Sequence, residues 1–177
     1  MRSMPAATPA APAADSGAVL ALDGEGLRVF LQPSGAARLI AFGDARSVVV
    51  ATVTRLRGGI QPEIAENLEC RATVATWPTS GLQLWFTSDS ADSAARFIGW
   101  SLGGRAPTDS TMPKLTTPSG IGLGSTRAAL DSVYVARVAR SSLGVEFSAG
   151  GLAGILATAR PDAPIQNLWA GQVCLAR

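Results

Sequence analysis

The chain has 177 residues, 47% apolar and 16% charged, with a net charge of +2 and no histidine. That length suits one compact domain or two small lobes sharing an interface. A single lysine, Lys114, and the lack of any basic run interleaved with aromatics argue against a nucleic-acid partner. No apolar run approaches the ~20 residues that cross a bilayer as a helix, so the chain is not expected to span a membrane.

Residues 1–19 are rich in alanine and proline and nearly uncharged, the composition of an unfolded, semi-rigid linker. They lack the continuous apolar core of a secretion signal. Tethers of this kind follow a signal peptide or a lipid-anchored cysteine in bacterial envelope proteins, which would place the true start upstream. The competing reading is a cytosolic protein with a disordered tail. The next segment, residues 27–31, reads as a strand, and residues 32–35 as its Gln-Pro-Ser-Gly turn.

Residues 38–42 lead into a helix. Asp44 is the expected N-cap, its carboxylate accepting from an amide of the first turn. Ala45, Val48, Val49, Thr52, Val53 and Leu56 then follow helical spacing, which predicts one buried face. The β-branched side chains lower helix propensity, so packing must hold this helix until Gly58-Gly59 ends it. Residues 61–71 read as a polar connection carrying Glu63, Glu66 and Glu69.

In the strand-rich block that follows, Leu82, Leu84 and Phe86 alternate with Gln83 and Trp85, and Ile98, Trp100 and Leu102 alternate on the returning strand. Residues 87–95 form the Ser/Asp-rich loop between them, and residues 103–119 a Gly/Pro/Thr connector. Beyond it, Ser125 is the expected cap of a second helix with Thr126, Ala129, Leu130, Val133 and Tyr134 on its apolar face. Residues 135–140 extend that helix or begin a strand. Leu143, Val145 and Phe147 then alternate, Gly150-Gly151 makes a hairpin turn, and residues 152–156 return. A turn framed by Pro161 and Pro164 precedes a last strand around Leu168-Trp169.

The pattern of residues 42–49 recurs in residues 123–130, offset by 81 positions. Each copy is an apolar residue, a glycine, an Asp or Ser, and an amphipathic helix, and strands follow both. The expected class is therefore α+β, two tandem helix-plus-antiparallel-sheet repeats. The linker occupies 1–19, the first repeat 20–104, the connector 105–118 and the second repeat 119–177.

The Gly-[Asp/Ser]-x-Arg helix start, as Gly43-Asp44-Ala45-Arg46 and Gly124-Ser125-Thr126-Arg127, followed by an antiparallel meander, resembles the beta-lactamase-inhibitory-protein superfamily. That group is structurally similar to small outer-membrane-assembly lipoproteins of the SmpA/OmlA type. Along its whole length the chain also resembles proteobacterial envelope proteins without assigned activity. The resemblance implies a periplasmic or secreted location and a protein-binding role on the exposed sheet, while the cysteines depart from the one-bridge-per-repeat arrangement such units can show.

Chemistry is scarce. Without histidine the chain lacks the commonest general base, metal ligand and triad member. No cofactor, metal site or catalytic residue is expected, and the chain is not expected to be an enzyme. Cys70 and Cys174 are 104 positions apart, with no CxxC, and are either a disulfide or two buried thiols. Glu63, Glu66 and Glu69, like Asp89 and Asp92, lack the spacing of a calcium loop. Gly120-Ile121-Gly122-Leu123-Gly124 ahead of a helix superficially suggests a dinucleotide-binding turn. It underlies the competing expectation of a nucleotide or small-ligand binder, or an oxidoreductase. It lacks the preceding buried strand and the acidic residue about 20 positions on that such a turn requires. The interface candidates are Trp77, Trp85, Arg46 and Arg127. Trp85 either anchors a partner or is covered by the other repeat, and the two arginines, placed against the helix dipole, each expect a carboxylate or carbonyl partner. The leading expectation is a non-catalytic extracytoplasmic protein-binding or structural module.

Overall fold

Short apolar stretches divided by glycine and proline turns give strands along most of this chain. In the computed structural model, which describes residues 17–88, 94–103 and 113–175, 49% of those residues lie in strands and 12% in helices. This corrects the α+β expectation: the protein is mostly β, with sheets of three and eight antiparallel strands and two helices among the described residues.

The small sheet is β1 (Gly17–Asp23), β2 (Gly26–Gln32) and β3 (Ala37–Ala41), in that order. Helix α1 (Arg46–Leu56) follows. The large sheet then receives β4 (Glu63–Asn67), β5 (Ala72–Trp77), β6 (Leu82–Thr87) and β7 (Phe97–Leu102). After helix α2 (Arg127–Val133) come β8 (Arg137–Ser141), β9 (Gly144–Ala149), β10 (Leu152–Leu156) and β11 (Ile165–Gly171). Its order is β4-β5-β6-β7-β11-β10-β9-β8, so two meanders meet at their last strands, and β4 and β8 are the edges.

One expectation about elements is corrected and one open choice is decided. The polar connection of residues 61–71 contains β4, and of the two readings of residues 135–140 the strand is the one found, as β8. In both, ladder pairing with β5 or β9 orders residues whose side chains show little alternation. The helices are correspondingly short. In α1, Val49, Val53 and Thr54 are buried, while Val48 is 52% exposed, so the buried stripe is narrower than the spacing predicts.

One continuous core joins the layers. Leu22, Leu27, Val29 and Ile40 of the small sheet, Val49 and Val53 of α1 and Leu130 of α2 pack with Trp77, Leu84, Phe86, Trp100, Phe147 and Leu168 of the large sheet. The Trp100 indole within this core is paired, as burial requires: it donates to the Asp23 carbonyl (2.9 Å), which ties the sheets together at the β1–β2 turn. Beside it Gly24 lies against the Gly150-Gly151 turn so closely that a Cβ there would meet the Gly150 carbonyl oxygen at 2.4 Å.

The twice-occurring glycine turn has one geometry in both places. Gly43 and Gly124 have φ of 100° and 81°, the left-handed region that favours glycine. The Gly43 amide donates to the Phe97 carbonyl (2.7 Å) and the Phe97 amide to the Asp44 carbonyl (2.9 Å). Gly124 and Ile165, with Ser125, repeat the exchange at 2.9 Å each. Asp44 and Ser125 are not the N-caps expected. Their side chains accept from the amides of Ala41 (3.1 Å) and Gly122 (3.0 Å), closing the turn before each helix. The caps are Ala45, with no side-chain bond, and Thr126, whose Oγ1 accepts from the Ala129 amide (3.1 Å).

Candidate binding groove beside helix α1

Each interface candidate has a definite place. Trp77 is in the core at 1% exposure, its indole donating to the Ile60 carbonyl (2.9 Å). Trp85 lies on the opposite sheet face, as alternation predicts, yet it is only 6% exposed. It packs in a second small cluster with Ala72, Val74, Cys70, Ile98 and Val173. Its indole donates to Ser101 Oγ (3.0 Å), which donates to Gln83 Oε1 (3.2 Å). Neither tryptophan is an exposed anchor: Trp77 faces the main core, and over Trp85 a disulfide between Cys70 and Cys174, with Cα atoms 6.0 Å apart, holds the segment after β11.

Ile98 belongs to this second cluster and not to the main core, contrary to the alternation expected of β7. The register of β6 on β7 shifts between Trp85 and Phe86, leaving Ile98 as the extra residue of a bulge and turning Phe97 into the core.

Arg127 has partners of both expected kinds: its guanidinium donates to the Ala159 carbonyl and pairs with Asp131 one turn on (3.4 Å). Arg46 lines a groove. The Gly58-Gly59 turn, with φ of 70° and 81°, reverses the chain after α1 and brings Gln61 and, in β4, Ile64 beside the helix. Between them runs a groove of about 650 Å³. Val50, Ala51 and Ile64 give it an apolar floor, and Arg46 and Arg55 also line it. Ile64 is 56% exposed, an aliphatic side chain left uncovered on an edge strand. Gln61 and Ser47 add neutral hydrogen-bonding groups.

Among the described residues, then, the groove offers an apolar floor with two guanidinium groups on its lining. Of the four candidates, only Arg46 reaches it. Arg55, Val50 and Ile64 were missed because the sequence marks them as ordinary exposed positions. The one available signal was Ile64 set in a charged segment.

The glycine segment is already occupied with its own bonds. The Gly120 amide donates to the Thr117 carbonyl (2.8 Å), the Gly122 amide to Ser125 Oγ (3.0 Å) and the Gly124 amide to Ile165 (2.9 Å). A phosphate cradle needs such amides turned outward. Among the described residues no three His, Cys, Asp or Glu side chains gather into a metal-ligand set, and Asp89 and Asp92 lie outside those residues. Among the described residues, too, no helix is long and apolar enough to cross a membrane. Searches against family models, curated proteins and solved structures found no match for this chain.

Proposed function

We propose that the chain is a non-catalytic, extracytoplasmic protein-binding module, and that its binding surface is the groove between α1 and β4. The observation that carries this reading is an apolar floor bordered by two arginines beside an exposed sheet edge. The occupant that fits is a segment of another protein presenting a carboxylate next to an aliphatic side chain. The Cys70–Cys174 bridge supports the location, since disulfides persist in oxidising compartments, where the family resemblance also points. A photo-crosslinking side chain at Ala51 should capture a protein in the native compartment, and the same group at Thr158, outside the groove, should not. Arg55→Glu should abolish the Ala51 adduct. Equal adducts at both positions, or an adduct indifferent to Arg55→Glu, would exclude the groove.

A further inference from the structure

The two edges of the large sheet carry one pattern with opposite charge. β4 reads Glu63-Ile64-Ala65-Glu66-Asn67 and β8 reads Arg137-Val138-Ala139-Arg140-Ser141, matching position for position as charge, aliphatic, alanine, charge, polar. Each is the first strand after its helix. The faces match as well. Ile64 pairs with Ala75 and Val138 with Phe147, both core residues, so Glu66 and Arg140 share the core side while Glu63 and Arg137 share the outer side. All four charged side chains are exposed, and among the described residues none has an ion-pair partner. The nearby Glu146, opposite Ala139, is held by the Ser141 hydroxyl.

We infer that this chain associates with copies of itself head to tail, β4 of one copy pairing with β8 of the next. An uncovered edge offers a row of unpaired backbone groups, and charge on the edge decides what joins it. Two β4 edges repel through their glutamates, and two β8 edges through their arginines, so the symmetric dimers are disfavoured. The unlike edges attract. Every neighbouring pair in the sheet is antiparallel, so β4 and β8 run in opposite directions. A second copy placed alongside without rotation therefore presents its β8 antiparallel to β4, with both core sides facing the same way. Ile64 then lies opposite Val138 on that side, Glu63 and Arg137 sit diagonally across the new ladder on the other side, and the acidic edge as a whole meets the basic one. Each added copy leaves the same two edges free, so the contact builds a ring or a filament.

Sedimentation velocity over a concentration series tests this. The wild-type mass should rise with concentration and fall back as salt screens the edges. Glu63→Arg/Glu66→Arg, with two basic edges, and Arg137→Glu/Arg140→Glu, with two acidic ones, should each stay monomeric alone. Mixed in equal amounts they should associate, because every contact then joins unlike edges. That recovery also establishes that both variants are folded. A wild type that is monomeric throughout, variants that associate alone, or a mixture that stays monomeric would each overturn the inference. Arg55→Glu, which disables the groove, should leave the association unchanged.

Discussion

Thr54 faces inward from α1 at 8% exposure, and its Oγ1 has no hydrogen-bond partner. Two residues earlier, Thr52 Oγ1 donates to the Val48 carbonyl (2.8 Å), the usual solution for a helical threonine. A buried hydroxyl without a partner costs about 1–3 kcal/mol. Valine has nearly the same shape, so Thr54→Val should stabilise the fold by about 1 kcal/mol, read as a higher urea midpoint at unchanged slope. A lower midpoint would mean that the hydroxyl has a partner in solution. The spacing of apolar residues foretold a buried face on this helix and correctly included Val49 and Val53. It could not separate them from Val48, because valines at three successive positions give no period of their own.

The helix starts differ in a way that stability can report. α1 is capped by Ala45, which offers its first-turn amides no side-chain acceptor, while α2 is capped by Thr126. Both caps have extended backbone, as an N-cap requires. Ala45→Ser should therefore raise stability by about 1 kcal/mol and Thr126→Ala lower it by a similar amount, again measured by urea unfolding. Failure of Ala45→Ser to help would show that the bridge between Ala45 and Arg96 already fixes the helix start. From sequence, the cap was placed one position early in both copies. Asp44 and Ser125 are good cap residues by type, but their acceptors are taken by amides upstream. Strands with clear alternation, such as β6 and β9, could be read directly. β4 could not, since an exposed edge strand buries neither face and leaves no period of two.

Over the whole molecule, the Cys70–Cys174 bridge ties the turn after β4 to the segment after β11, across the two outer meanders. It closes the small cluster around Trp85. Replacing both cysteines by serine should cost about 2–5 kcal/mol, the range for a bridge closing a long loop. Release of the segment bearing Val173 should also expose Trp85, shifting its fluorescence to the red. A Trp85→Phe background should remove most of that shift, and an unchanged emission in the serine variant would mean that the cover stays in place without the bridge.

The amino-acid sequence fixed the local grammar of this protein: the glycine turns at 43 and 124, the alternating strands, the end of α1, and the scarcity of catalytic side chains. These depend on φ preferences, side-chain period and residue chemistry within a few positions. The balance of sheet over helix, the bulge at Ile98, the cover over Trp85 and the groove with Arg55 and Ile64 came from contacts between distant segments. Their physical cause is pairing and burial that no short window contains, such as β7 against β11 or Cys70 against Cys174.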